Sequence, residues 1–129
     1  MATWKMVCEL LGQLPGTVED PPDRMPAVRV RGKMLAYMPK NGRSQPAHFG
    51  SDEVLVVRSD FHERAALIQE DPETFAVTPH YETYPGVLIR LATVRPDQLR
   101  ELLIDAWRMV APKRAVREFE QGLPENDRR

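Results

Sequence analysis

The side chains that most often carry catalysis are sparse in this sequence: His48, His62, His80 and a single cysteine, Cys8. No two of the histidines stand at a metal-ligand spacing, and one cysteine cannot complete a zinc site. His48 falls in a stretch that reads as a loop, and His62 in the exposed first turn of a helix; both are ordinary surface positions. A thiol at a helix start becomes a nucleophile when its pKa is lowered. Cys8, however, shares an apolar stripe with Trp4, Val7 and Leu11, where free cysteine behaves as a small core residue. The glycines are spread singly from Gly12 to Gly122, so none forms a phosphate cradle, and no Gly-x-Ser-x-Gly elbow is present. No carboxylate pair is marked by its spacing. These residues point to no catalytic group, no metal and no cofactor, and the expectation is a protein that is not an enzyme.

Charge is more informative. Between Arg24 and Ser51 there are six basic residues (Arg24, Arg29, Arg31, Lys33, Lys40 and Arg43) and no acidic one. The chain as a whole carries 18 basic and 19 acidic residues. The rest of the sequence is therefore acidic, and the protein divides into a cationic segment and an anionic body. Such a segment can neutralise phosphates and position a nucleic acid, with binding that is weak and salt-sensitive. The competing account is a solvated hairpin whose arginines pair with carboxylates from elsewhere. A second basic group, Lys113, Arg114 and Arg117, opens the last helix, where cations oppose the helix dipole. The residues expected to contact phosphate are Arg29, Arg31, Lys33, Lys40 and Arg43, with Lys113 and Arg114 as outliers.

The stretch Thr78–Pro85 sets His80, Tyr81 and Tyr84 between two prolines. Loop aromatics stack on bases or line a pocket; they also serve as rigid lids over a core. The alternative function is thus a protein- or small-ligand-binding module that uses His80, Tyr81 and Tyr84. A third reading, an enzyme, would need polar residues gathered by the fold, of which His80, Tyr81 and Lys33 are the nearest candidates.

The elements that must position these groups follow from periodicity. Thr3 caps a helix whose apolar residues Trp4, Val7, Cys8, Leu11 and Leu14 recur at helical spacing, and Pro15-Gly16 ends it. Thr17–Asp20 reads as a short strand. Ala27–Val30 and Lys33–Met38 read as two strands around a turn with Gly32. Pro39–Ser51, with Asn41-Gly42, Pro46 and Gly50, reads as a long surface loop. Val54–Arg58 is a β-branched central strand. Asp60 and Glu63 form a capping box for a second helix, which Asp71-Pro72 stops. Phe75–Val77 and Val87–Leu91 are further strands. Pro96 starts a third helix with the buried stripe Leu99, Leu102, Leu103, Ala106 and Val110, with Trp107 beside it. Pro112 begins a last helix that Gly122 ends. Strands clustered between helices predict an α+β domain, an antiparallel sheet packed on one face by helices.

At 129 residues, with 42% hydrophobic content, the chain is the size of one domain with its own core. The expected domain spans 1–122, with a polar tail at 123–129. One cysteine, no signal-peptide pattern and no long apolar run predict a cytoplasmic protein with no membrane association. Nothing in the sequence sets an oligomeric state.

Taken in order, several segments resemble the MmcQ/YjbR family over about residues 4 to 120. They are Arg31-Gly32-Lys33-Met34-Leu35-Ala36, the strand Val54–Arg58, Glu63-Arg64-Ala65-Ala66-Leu67-Ile68 and Thr78-Pro79-His80-Tyr81. Val87-Leu88-Ile89-Arg90-Leu91 and Ala106-Trp107-Arg108-Met109-Val110-Ala111-Pro112-Lys113-Arg114 complete the set. The resemblance implies a two-layer sandwich like that of the frataxin (CyaY) superfamily, and a DNA-binding role tied to a double-wing arrangement. Frataxins bind iron on an acidic ridge of the first helix and strand. Here the first helix offers only Glu9, with Glu19 and Asp20 beyond it, so the resemblance implies no iron site.

Overall fold

In the computed structural model, residues 2–39 and 45–123 are described. The chain opens with helix α1 (Trp4–Gly12), whose first turn is capped as its sequence requires: the Thr3 hydroxyl accepts from the Met6 N–H at 3.2 Å. Strands β1 (Thr17–Glu19), β2 (Ala27–Val30), β3 (Lys33–Tyr37) and β4 (Val54–Arg58) follow. Next come helix α2 (Phe61–Glu70), β5 (Phe75–Ala76), β6 (Gly86–Arg90), helix α3 (Pro96–Val110) and helix α4 (Lys113–Gln121). Asp60 accepts from the Glu63 N–H at 2.7 Å at the start of α2, and Gly122 caps α4. The stretch expected to be an irregular loop holds a 3-10 turn at Ala47–Phe49, and its Phe49 ring is buried. Lys40–Ser44 and the tail beyond Leu123 lie outside the described residues.

The six strands form one antiparallel sheet in the order β1-β2-β3-β4-β6-β5, so the β-branched run of β4 is internal, as its composition demands. Period-two alternation divides the sheet into two faces. Val28, Val30, Leu55, Val57, Val87 and Ile89 point to one of them and pack with Val7 and Leu11 of α1 and Leu99, Leu103 and Trp107 of α3. Leu67 and Ile68 of α2 and Val116 and Phe119 of α4 cover the same core, so all four helices lie on this face. The largest fully buried side chain is Trp107; its indole N–H donates to the Pro15 carbonyl at 2.9 Å, satisfying the one polar atom that burial would otherwise orphan.

The opposite face is covered only in part. Val54, Val56, Leu88 and Ala76 are closed over by Phe49 and Tyr81, with Tyr37 and Tyr84 packed against them. The loop tyrosines thus act as lids over a core, as one reading of the sequence had them; that this core lies on the face away from the helices and includes Phe49 was not read from the sequence. Among the described residues no helix is long and apolar enough to cross a membrane.

Candidate nucleic-acid interface

The β2–β3 connection is a two-residue turn, Arg31-Gly32, with φ of +53° and +77°. Positive φ at both central residues is the turn that matches the twist of the flanking strands, and glycine supplies it without strain. Arg31 has no such freedom and stands in a left-handed conformation, exposed at the tip. Lys33 opens β3 opposite Val30 and is also exposed.

Arg29 is positioned differently. Its Nε donates to both carboxylate oxygens of Asp20, at 3.1 and 3.2 Å, and its Nη1 to the Gly32 carbonyl at 3.2 Å. The guanidinium therefore ties β1 to the hairpin and braces the turn from inside. This departs from the expected phosphate contact, and the reason lies in the register: Val18 pairs with Arg29, which brings Asp20 within reach. Arg114 is joined to Glu118 at 3.1 Å, but both side chains are largely exposed, and such i,i+4 pairs are weak and readily exchanged. Among the described residues no ion pair engages Arg31, Lys33, Lys113 or Arg58.

The fold redistributes the basic run. Lys33 and Pro39 lie at opposite ends of β3, roughly 20 Å apart at about 3.3 Å per residue. Lys40 and Arg43 lie outside the described residues. Conversely, Lys113 and Arg114, remote in sequence, come round to the hairpin's end of the sheet. Trp107 of α3 touches Pro15, Thr17 pairs with Val30, and α4 starts just beyond the α3 terminus. α4 therefore starts toward the end of the sheet that carries Val30, Lys33 and Arg58. Acidic side chains at this end, Asp60 and Glu63 among them, belong to the start of α2, on the β4 side.

The Thr78–Pro85 segment is held by one side chain that the sequence reading overlooked. Arg64, on α2, donates from Nη1 to the carbonyls of Tyr81, Tyr84 and Gly86 (3.2, 3.0 and 3.2 Å) and from Nη2 to that of Glu82 at 3.0 Å. Its guanidinium also lies 4.7 Å from the Phe61 ring centre. A charged donor with this many carbonyls is a structural staple. Tyr81 is 6% exposed and forms part of the second core. His80 is exposed with its ring edge-on to Tyr81 at 4.9 Å. Tyr84 is half-buried, edge-on to Tyr37 at 6.3 Å and to Tyr81 at 6.1 Å. Burial, reinforced by a hydrogen bond with Tyr81, pushes the Tyr37 phenol far above its usual value. Burial also pushes Tyr84 up, while the nearby charges of Arg58 and Arg29 pull the other way.

Of the three residues nearest to an enzymatic reading, Tyr81 is joined to Tyr37. Lys33 stands four residues further along the same strand, roughly 13 Å away; His80, Tyr81 and Lys33 therefore do not converge. Among the described residues no three His, Cys, Asp or Glu side chains gather as a metal site. Arg58, missed in the sequence, donates from Nε to the Met34 carbonyl at 2.8 Å and lies on the same sheet face as Val54 and Val56. Alternation along β4 was the signal that could have placed it there.

Comparison with known proteins follows this geometry. The YjbR family model matches residues 12–109. The uncharacterized protein Rv2570 of Mycobacterium tuberculosis is 39% identical over 127 residues, covering 92% of this chain and 96% of its own length. The uncharacterized protein Mb2600 of Mycobacterium bovis matches equally well. The crystal structure of Deinococcus radiodurans protein DR2400, which carries the DUF419 domain, superposes with a TM-score of 0.68 over 97% of this chain and 91% of that one, at 24% identity. That likeness bears on the fold alone.

Proposed function

The chain belongs to the YjbR family, and from that footing we propose that it is a non-catalytic, DNA-binding module that contacts phosphates at the hairpin end of its sheet. Arg31, Lys33 and Lys113 make the contacts, with Arg114 exchanging its Glu118 partner for phosphate. Arg29 is removed from the contact set and assigned to bracing the turn. The observation that carries this reading is that no ion pair among the described residues engages Arg31, Lys33 or Lys113, set against an otherwise acidic chain. Unpaired, exposed ammonium and guanidinium groups are free to displace the counterions of a nucleic-acid backbone.

The test is fluorescence anisotropy with a short labelled DNA duplex across salt concentrations. Four phosphate contacts give a slope of log K against log salt of about −3.6. Arg31→Glu combined with Lys33→Glu is expected to weaken binding at least about tenfold, because two attractive charges become repulsive. The circular dichroism spectrum should be unchanged, since neither side chain is buried. Equal affinity of wild type and variant at low salt would sink the proposal.

A further inference from the structure

We infer that the nucleic acid taken by this end of the molecule is single-stranded, with an unpaired base stacked on Tyr84; the inference rests on the phosphate-contact reading above and names its substrate.

The hairpin is not a free wing. β2 is hydrogen-bonded on its outer side to β1, and β3 on its outer side to β4. Only the Arg31-Gly32 turn projects. A major groove about 12 Å wide admits a helix or an isolated two-stranded ribbon. It does not admit two strands that are the interior of a six-stranded sheet. A single strand needs no protrusion, since it can lie across an open sheet face with bases on aromatic rings and phosphates on cations at the rim.

That face exists here. The helices occupy the other side, and Val18 of β1 is left 63% exposed. Val18, Arg29 and Met34 are in register across β1, β2 and β3, and Arg58 pairs with Gly86 across β4 and β6. Tyr84 sits at the inner margin of this surface. A β-carbon on residue 86 would meet the Tyr84 ring at 2.7 Å (Cε2) and 2.9 Å (Cδ2), so only glycine lets the ring back onto β6. Tyr37 and Tyr81 meet it edge-on, the polypeptide on both sides of it is held by Arg64, and part of its surface remains open. The ring is a fixed platform rather than a mobile loop side chain. Arg58 is close by, its Nε engaged with Met34 and its terminal nitrogens without a carboxylate among the described residues. An aromatic plate beside an unpaired guanidinium fits a base with its attached phosphate.

The experiment compares a labelled oligothymidylate of roughly 12 nucleotides, within the span one such domain covers, with a duplex of the same length. The oligothymidylate is expected to bind about tenfold more tightly. Tyr84→Leu should lower its affinity about tenfold and leave duplex affinity unchanged, whereas Tyr84→Phe, which keeps the ring, should bind as wild type does. Duplex binding equal to or tighter than single-strand binding, or full oligothymidylate affinity in Tyr84→Leu, overturns the inference. If Tyr84→Leu does not fold, the wild-type ratio of the two affinities decides alone. If wild type binds neither probe at low salt, the phosphate-contact reading itself has failed. If both bind equally and Arg31→Glu with Lys33→Glu abolishes both, that reading stands and only the single-strand preference falls.

Discussion

Arginines with similar sequence surroundings end in different roles because each is decided by what the fold places within about 4 Å. Arg29 and Arg31 are two residues apart, yet one is spent inside the structure on Asp20 and the Gly32 carbonyl while the other faces water. Arg64 ties the Thr78–Pro85 segment to α2 by adding charged donors to its carbonyls, those of Tyr81 and Tyr84 already accepting a backbone N–H within the turn. Cys8 follows the same rule. Burial first, then its hydrogen bond to Glu19 (Sγ to Oε1, 3.4 Å) and the negative charges of Glu19 and Glu9, push its pKa from 9.0 up to about 12. The thiolate is the reactive form, so Cys8 at pH 8 should alkylate with iodoacetamide at least about tenfold more slowly than free cysteine. Glu19→Gln removes the carboxylate but not the burial, so it should restore part of the rate. A wild-type rate equal to that of free cysteine would show the thiol to be unprotected.

At the scale of elements, the hairpin turn couples stability to binding. A β-branched or long side chain in the left-handed region costs about 1 kcal/mol, and Arg31 bears that cost at φ +53°. Asn-Gly is the pair this turn prefers. Arg31→Asn should therefore raise the melting temperature by about 2–5 °C while weakening polyanion binding, two effects of opposite value read from one variant. A lowered melting temperature would mean that Arg31 stabilises the turn by a contact of its own. The elements themselves were legible: the caps at Thr3 and Asp60, the stripe of α3, the turn with Gly32 and the β-branched run of β4 are local signals, and each element formed where they stood. The site was legible only in part. Arg31 and Lys33 were read as neighbours at a tip because a two-residue turn is itself local. The partnership of Arg29 with Asp20 depends on strand register, and the end of the sheet toward which α4 starts depends on how α3 crosses the sheet. Neither is written in a residue's near neighbours. The place of the second core formed by Phe49, Val56 and Tyr81 was missed for the same reason, since the 3-10 turns that close it carry no periodicity.

For the molecule as a whole, the packing of tyrosines over part of the sheet face opposite the helices has a thermodynamic consequence. Tyr37 and Tyr84 both titrate above their ordinary value of 10.0 in the folded state, with burial as the leading cause. Below that value the phenols are neutral whether the chain is folded or not, and the protection is fully present. Above it the unfolded chain releases its protons first, so stability falls as pH rises; Cys8 adds to the decline from its own ordinary value of 9.0 upward. The urea midpoint at about pH 11 should lie below that at pH 8, and Tyr37→Phe should show a shallower fall between the two. A pH-independent midpoint would mean that the phenols ionise freely in the native protein. The link from Trp107 to Pro15, two residues 92 positions apart, has a consequence of another kind. During synthesis the first helix emerges long before the indole it rests against, so it has no seat until α3 has left the ribosome. Until then the apolar stripe of α1 stands open to proteases and chaperones.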